Sequence, residues 1–169
     1  DTSCALEDAH TRGVVHRDIK PANIMVTREG RSSKAVLMDL GLARMPELAD
    51  GLTRTDAVMG TPHYMSPEQL QNTAGAGAPS DVFSLGIVCY ELLSGTRPFD
   101  GQSGYAIQQA IERCEPAPLS EMAPDLPAPI TELVDSMLRK DPAARPDIGH
   151  VRDVVESNYS EGRRAALAK

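Results

Sequence analysis

Apolar and polar positions alternate in blocks near the start of the chain. Residues 24–26 form a short apolar run, which predicts a buried strand. A second apolar run covers residues 34–38, and the stretch between the two, 27–33, is polar and carries Gly30. Two such runs around a polar, glycine-containing stretch predict an antiparallel hairpin whose loop is longer than two residues.

An almost continuous apolar stretch covers residues 82–93. It leaves no clean polar face, so it predicts a helix that is buried all round and is too short to cross a membrane. Ser80 is expected to cap this helix, with Asp81 in its first turn. Gly86 predicts close packing against a neighbour, and Gly95 predicts the end of the helix.

Helical spacing of apolar residues recurs in shorter segments on both sides. These segments are residues 2–10, 103–114, 133–138 and 148–155. Gly13 is expected to stop the first in a left-handed conformation, and Asp147 to cap the last, which should bury Val155. Five prolines make residues 115–129 an ordered loop at best. The polar tail from Ser160 is expected to fray.

The composition narrows the class of protein. At 169 residues with a 41% apolar fraction, the chain is long enough to bury the core of one domain. A net charge of −7 argues against nucleic acid or an anionic membrane as the main partner. The three cysteines (Cys4, Cys89 and Cys114) and the four histidines lack the spacing of a metal site, and scattered thiols favour the cytoplasm. The sequence contains no signal peptide. Because it begins at Asp1 and not at Met, we expect it to be a piece of a larger protein, which could be membrane-anchored outside this segment.

Polar groups converge where the predicted hairpin begins and ends. Asn23 directly precedes the first strand and Asp39 directly follows the second, so antiparallel pairing brings them to one end of the hairpin. Asp18 and Lys20 lie a few residues earlier, in a polar loop whose apolar entry at Val14 is expected to be buried. One amide oxygen and two carboxylates are hard oxygen ligands, which suit a divalent cation such as Mg²⁺.

The loop and the hairpin carry a family resemblance. The stretch His16–Asn23, which reads His-Arg-Asp-Ile-Lys-Pro-Ala-Asn, is followed by the turn Asp-Leu-Gly at 39–41. Together they resemble the catalytic loop and the metal-binding turn of protein kinases. The lysine of this loop and the later segment 60–68 resemble serine/threonine protein kinases. Leu40 and the run from Thr53 to Gly60 resemble the eukaryotic-like (Hanks-type) members of bacteria. One departure is Leu40, where the family more often has phenylalanine.

This resemblance implies a role for each polar side chain of the site. Asp18 would be the catalytic base that orients the substrate hydroxyl. Asn23 and Asp39 would hold Mg²⁺ against the phosphates of ATP, and Lys20 would contact the transferred phosphate. Met25, on the first strand, would contribute to the nucleotide-binding surface. The implied cofactors are therefore ATP and Mg²⁺.

A long stretch without periodicity separates the hairpin from residues 60–68, which resemble the end of a kinase activation segment. Thr53 and Thr55 lie where bacterial kinases of this family carry regulatory phosphothreonines. A phosphate there would add a charge of about −1.5 to −2 and could pair with Arg17, beside the base. Thr61 is expected to stay unmodified and to hydrogen-bond near the catalytic loop.

The same resemblance implies the architecture. The expected fold class is α+β and mainly helical: the large, C-terminal lobe of a protein kinase, with a small β-hairpin at the catalytic cleft and a buried central helix. The lobe would cover residues 1–158, and a polar tail would cover 159–169. Asp81 would hold the backbone of the catalytic loop. Arg145 would pair with Glu68.

The expected function is transfer of the γ-phosphate of ATP to serine and threonine hydroxyls of proteins. No glycine-rich nucleotide loop and no strand lysine precede the catalytic loop, so these 169 residues alone should be nearly inactive. Two copies of the kinase could phosphorylate each other as a homodimer, and no contact of this segment with nucleic acid or membrane is expected. Two alternatives stay open: a pseudokinase that serves as a binding scaffold, and a small-molecule phosphotransferase on the same fold.

Overall fold

The computed structural model describes residues 1–30, 32–39, 62–72 and 76–167. Within these ranges the fold is mainly helical with one antiparallel β-hairpin, in agreement with the α+β class predicted from the sequence. The elements in chain order are α1 (Thr2–Thr11), a 3₁₀ turn (Pro21–Asn23), β1 (Ile24–Glu29), β2 (Ser32–Leu37), α2 (Pro67–Gln71), α3 (Ala78–Ser94), α4 (Gly104–Arg113), α5 (Leu119–Met122), α6 (Ala128–Met137), a second 3₁₀ turn (Pro142–Ala144) and α7 (Ile148–Leu167).

Helix α3 is the central element, as its continuous apolar pattern predicted. It contributes to two clusters of buried side chains, one on each side. The first cluster joins α3 to α1, β2, α6 and α7 through Leu6, Leu37, Val82, Leu85, Val88, Met137 and Val151. The second joins it to α4, α5 and α6 through Phe83, Ile87, Tyr90, Ile107, Ile111, Leu119 and Val134. Because apolar partners lie on both sides, α3 has no solvent-facing stripe over most of its length. Its C-terminal end departs from the prediction: Leu92 and Leu93 are 76% and 38% exposed, so the helix is not buried all round there.

The two glycines of α3 have the predicted effects. A Cβ added at Gly86 would lie 2.9 Å from Cβ of Met137, so α6 packs against bare backbone at this point. Gly95 follows the last helical residue with a φ of 75°, a left-handed conformation that costs glycine little.

The start of α3 differs from the prediction. Gly77 holds the cap position, the helix begins at Ala78, and Ser80 lies inside the first turn. The Ser80 hydroxyl does not cap the helix; it donates to Glu68 Oε1 at 2.7 Å. Pro79 explains the earlier start, because its fixed φ suits the first turn and it needs no hydrogen-bond acceptor there.

The hairpin is longer, and one part of it more exposed, than the sequence predicted. Its strands continue through polar residues to Glu29 and from Ser32, so two residues connect them. Gly30 begins this turn with a φ of 62°. Met25 and Val26 are 45% and 66% exposed, so the expected burial of 24–26 is wrong for these two side chains. Backbone pairing in register, more than apolar burial, therefore defines the strands.

The proline-rich stretch 115–129 is not wholly a loop. It contains α5 and the first turn of α6, and Leu119 is fully buried. Asp135 Oδ1 accepts from the Leu119 backbone N–H at 3.0 Å, which satisfies a donor at the start of α5. Pro129 lies in the first turn of α6, a position where proline is tolerated.

Helix α7 begins as predicted and ends later. Asp147 caps it, since its Oδ1 accepts from the His150 backbone N–H at 2.8 Å. The backbone continues as helix to Leu167, so the expectation of a frayed tail from Ser160 is wrong. Val155 is exposed and not buried. In the described part of the chain, no helix combines the length and the apolar composition that crossing a bilayer requires.

Candidate active site

The polar loop between α1 and β1 brings three of the predicted site residues into direct contact. Lys20 Nζ lies 2.8 Å and 3.0 Å from the two carboxylate oxygens of Asp18. Asn23 Nδ2 donates to the backbone oxygen of Asp18 at 2.7 Å and to its Oδ2 at 3.0 Å. Asn23 is buried at the end of the 3₁₀ turn, whereas the Asp18 side chain is 58% exposed. A buried amide therefore orients an acid that remains open to solvent.

The hairpin end brings a fourth predicted residue close in the backbone. Ile24 pairs with Leu37, and the Met38 N–H donates to the Asn23 carbonyl at 2.9 Å, which continues the ladder by one step. Asp39 follows directly, so it lies at the same end of the hairpin as Asn23. Its side chain is exposed and makes no hydrogen bond or ion pair with the described residues.

His16 connects the loop to this hairpin end. It is fully buried, its Nε2 lies 2.9 Å from the Met38 carbonyl, and its Nδ1 accepts from the Asp18 backbone N–H at 3.3 Å. The carbonyl can only accept, so the ring proton belongs on Nε2. The sequence alone did not predict that the His16 side chain connects the loop to the hairpin. Its position next to Arg17 and Asp18 in the loop motif was the available signal.

Asp81, in the first turn of α3, holds the same loop from beneath, as the resemblance implied. Its Oδ2 accepts from the His16 N–H at 2.8 Å and its Oδ1 from the Arg17 N–H at 2.7 Å. Asp81 is fully buried, and His10 Nε2 lies 2.8 Å from its Oδ2. A buried carboxylate without such donors would be very unfavourable, so these bonds fix both partners.

Two residues near the site have strained backbone conformations. Arg17 has a φ of 63° and Asp39 a φ of 61°, in the left-handed region that L-residues other than glycine rarely adopt. The carbonyl of Arg17 accepts from Gln69 Nε2 at 2.9 Å, which helps to hold the strained peptide. Such strain persists only where surrounding contacts over-determine it, and it concentrates at functional sites.

Helix α2 is short but firmly placed. Ser66 caps it in a reciprocal arrangement in which its N–H donates to Gln69 Oε1 at 2.9 Å and its Oγ accepts from the Gln69 N–H. Gln69 thus connects the start of α2 with Arg17 of the polar loop that carries Asp18. The segment that resembles the end of an activation segment is in this way joined to the candidate active site.

The predicted pair of Arg145 and Glu68 is present. Arg145 Nη1 and Nη2 lie 2.6 Å and 2.9 Å from the two Glu68 carboxylate oxygens. Burial alone would raise the pKa of Glu68, but the hydrogen bonds from Arg145 and Ser80 outweigh it, and the pKa is lowered. The pair joins α2 to the loop before α7.

Other predictions for this region have mixed outcomes. Val14 is exposed, so the loop entry is not buried there; the loop is anchored instead by Ile19, which belongs to the first core cluster. Arg17, the expected partner of a phosphothreonine, donates from its Nε to the Ala76 carbonyl at 3.2 Å. Four predicted residues lie outside the described ranges: Leu40, Thr53, Thr55 and Thr61.

Comparison with known proteins identifies the family. Residues 1–160 match the protein kinase domain family. The chain therefore belongs to the protein kinase family, as the motifs at His16–Asn23 and 39–41 indicated.

Its relatives include bacterial serine/threonine-protein kinases. PknA of Mycobacterium tuberculosis is 42% identical over 144 residues, which cover 85% of this chain and 32% of PknA. Pkn2 of Myxococcus xanthus is 37% identical over 156 residues, which cover 89% of this chain and 19% of pkn2. PknB of Mycolicibacterium smegmatis is 39% identical over 146 residues, or 86% of this chain and 23% of PknB. The chain thus spans between a fifth and a third of the length of these relatives.

Proposed function

We propose that this chain is the large, C-terminal lobe of a serine/threonine protein kinase, and that the intact protein transfers the γ-phosphate of ATP to hydroxyl groups of protein substrates. The observation that carries the proposal is the hydrogen-bonded group of Asp18, Lys20 and Asn23 at the end of a hairpin that leads into Asp39. Similarity to bacterial serine/threonine kinases supports a protein substrate.

The side chains at the hairpin end fit a magnesium nucleotide. The two hydrogen bonds from Asn23 Nδ2 to Asp18 fix the amide orientation, and no described residue donates to its Oδ1. Asp39 adds an exposed carboxylate at the same end of the hairpin. One or two protein oxygens are what Mg²⁺ usually takes in phosphoryl-transfer sites. ATP supplies the phosphoryl group, and the ion neutralises the phosphates.

Asp18 is proposed to orient the substrate hydroxyl and to accept its proton. Its carboxylate is exposed, and Asn23 and Lys20 both donate to its Oδ2, so the side chain is held in one orientation. Lys20 can move its ammonium from Asp18 towards a phosphate, because both side chains are substantially exposed and such an ion pair is weak. Met25 is proposed to contact the nucleotide with its exposed side chain.

Regulation is proposed through Thr53 or Thr55. Phosphate on either residue would be available to Arg17, whose Nε is engaged with a single backbone carbonyl while its guanidinium keeps further donors. We propose that a second copy of the kinase transfers this phosphoryl group from ATP. The three free cysteines support a cytoplasmic location for this part of the protein.

The chain by itself is proposed to be nearly inactive. Phosphoryl transfer depends on positioning and on charge neutralisation from several sides of the nucleotide. The residues proposed here contact the nucleotide from one side only, and the groups that would contact it from the other side are not among them.

The test uses the intact protein and its Asp18→Asn and Asp39→Asn variants. Asp18→Asn is expected to lower kcat by about 10²–10⁴-fold because it removes the base. The melting temperature should change little, because the ion pair with Lys20 that is also lost is exposed and weak. The thermal shift that ATP with Mg²⁺ produces should persist in Asp18→Asn and shrink in Asp39→Asn. Asp8→Asn, in an exposed pair on α1, is the matched control and should keep full activity.

Two outcomes would overturn the assignment. Full activity of Asp18→Asn would remove the proposed base. A magnesium-dependent ATP shift without any protein phosphorylation by the wild type would favour the scaffold alternative, and phosphorylation of a small molecule alone would favour the other phosphotransferase class. A separate assay of the 169 residues is expected to find almost no turnover.

A further inference from the structure

Four polar side chains form a hydrogen-bonded chain between the segment before α2 and the end of α3. The Tyr64 hydroxyl donates to Glu91 Oε2 at 2.6 Å, and Arg97 Nε donates to Glu91 Oε1 at 3.2 Å. Arg97 Nη1 lies 2.6 Å from His63 Nε2. We call His63, Tyr64, Glu91 and Arg97 the Glu91 network. None of the four has a role in the chemistry proposed above.

The contact between Arg97 and His63 requires a neutral imidazole. A guanidinium has no acceptor, so His63 Nε2 must be unprotonated and the ring proton must sit on Nδ1. Nδ1 is buried and lacks a well-formed hydrogen bond to any described residue. A second proton on the ring would point an N–H at Arg97 Nη1 and put two positive charges side by side. Protonation of His63 is therefore incompatible with the observed contact.

The groups that face His63 act in both directions. Burial has the largest effect and lowers the pKa of His63, and the charge of Arg97 lowers it further. Asp100, Glu91 and the Phe99 carbonyl oppose this, but the net pKa stays below the ordinary value. Burial and then the bond to Glu91 raise the pKa of Tyr64 to about 12, so its hydroxyl remains a donor at all physiological pH values. Of these groups, His63 has the ordinary pKa closest to neutrality, and because that pKa is lowered the ring takes up its second proton only on the acidic side of its ordinary value.

The network fixes a segment along α3. The Tyr64 carbonyl accepts from Ser84 Oγ at 2.6 Å, and Ser84 lies on α3 seven residues before Glu91. Pro62 and Ser66 are buried at the two ends of this segment. Residues 62–66 are therefore held by burial and by several hydrogen bonds before they enter α2. The bond of His63 is the first of these hydrogen bonds along the chain.

We propose that His63 is a positioning residue: in its neutral form it anchors residues 62–66 against α3 through Arg97 and Glu91, and its protonation loosens the surface on which a protein substrate lies. The inference rests on the proposed kinase function: a protein substrate that brings its hydroxyl to Asp18 would lie against this segment, which Gln69 joins to the same loop through the bond from its Nε2 to the Arg17 carbonyl. Acidification then weakens substrate binding more than it slows the transfer itself.

The experiment compares the wild type with His63→Gln and His63→Ala at pH 5.5 and 7.5 in the intact protein. Glutamine can accept from Arg97 through Oε1 but does not titrate, whereas alanine removes the acceptor. The substrate is a peptide with the sequence of residues 47–58, which carries Thr53 and Thr55. His150→Gln, an exposed histidine on α7, is the matched control. KM, kcat and the melting temperature without substrate are measured for each protein.

The wild-type KM is expected to rise at least about fivefold at the lower pH, the small end of typical coupling between sites. His63→Gln should show a nearly constant KM, His63→Ala a high KM at both pH values, and His150→Gln the wild-type response. The wild type should also lose more melting temperature on acidification than His63→Gln.

Parallel pH profiles of KM for the wild type and His63→Gln would overturn the proposal, even if their melting temperatures diverge. Absence of phosphorylation in every variant would defeat the kinase function instead. In that case equal pH dependence of melting temperature for the wild type and His63→Gln would also overturn the anchoring role of His63.

Discussion

Arg145 and Glu68 form a two-pronged ion pair between positions 77 residues apart, with nitrogen–oxygen distances of 2.6 Å and 2.9 Å. The Arg145 side chain is fully buried, and its remaining donors reach the backbone carbonyls of Pro79, Arg139 and Lys140. The guanidinium also lies over the ring of Phe83, 4.7 Å from the centroid. Every N–H of the guanidinium is thus engaged, and one side chain fastens α2 to the body of the domain.

Replacement of Arg145 by alanine should therefore destabilise the fold. It leaves the Glu68 carboxylate half-buried without its cation and several carbonyls without donors, a loss that we expect to cost about 3–5 kcal/mol. Urea unfolding of wild type and Arg145→Ala measures the difference. Arg12→Ala, which breaks an exposed pair on α1, should change the stability by less than about 0.5 kcal/mol. Equal losses in the two variants would contradict the importance of the buried pair.

The lowered pKa of Glu68 makes the same pair sensitive to acid. Because the folded-state pKa lies below the unfolded value, the stabilisation is fully present above the unfolded value of about 4.5 and is lost as the pH falls through the folded value. Unfolding free energies of wild type and Glu68→Gln between pH 3 and 7 should therefore converge at the acid end. A difference that stays constant over this range would show that the charge of Glu68 is not what stabilises α2.

Asp81→Asn should affect activity as well as stability. An asparagine can accept with only one oxygen and would turn an N–H₂ towards a backbone donor of His16 or Arg17, which leaves a buried group unsatisfied and costs about 1–3 kcal/mol. A misplacement of about 1 Å typically costs about 10²-fold in rate, so displacement of the loop that carries Asp18 is expected to lower kcat by about that factor. Melting temperature and kcat are both measured in the intact protein.

Asp135→Asn is the matched control for that experiment. Asp135 also accepts from a backbone N–H, that of Leu119, but this bond lies at α5 and not at the loop. It should lower the stability and leave kcat unchanged. A fall in kcat of similar size in both variants would indicate a general effect of destabilisation.

Gly86→Ala tests the close approach of α3 and α6. The new Cβ would lie 2.9 Å from Cβ of Met137 and 3.2 Å from Cδ2 of Leu138, so the helices must separate. Overpacking of this kind typically costs about 1–3 kcal/mol, despite the better helix propensity of alanine. Gly104→Ala, where no atom lies within 4 Å of the new Cβ, should be neutral or slightly stabilising. Calorimetric melting of both variants decides whether the contact at Gly86 is tight.

The parts of the site that could be predicted are those that depend on neighbours in sequence. The hairpin followed from two apolar runs, and its register then brought Asn23 and Asp39 to one end. The buried helix α3 followed from its apolar pattern alone. The bonds of Asp81 to the loop and of Arg145 to Glu68 came from the family resemblance, since no local pattern joins positions so far apart.

What was missed depends on contacts across the fold. The lengths of β1 and β2 were underestimated because polar residues pair through their backbones as well as apolar ones do. The helix α5 was missed because its four residues are stabilised by burial of Leu119 and by Asp135, 16 positions away. The bridging contacts of His16 and His63 likewise join residues 22 and 34 positions apart.

The left-handed conformations of Arg17 and Asp39 lower the stability of the fold at two residues that are proposed to serve its function. A side chain in this conformation costs about 1–2 kcal/mol that glycine would avoid. The Asp39 side chain is exposed and makes no hydrogen bond or ion pair with the described residues that a glycine would forfeit. A library selected for heat resistance alone should therefore accumulate glycine at position 39, even though glycine removes the carboxylate that is proposed to hold the metal nucleotide.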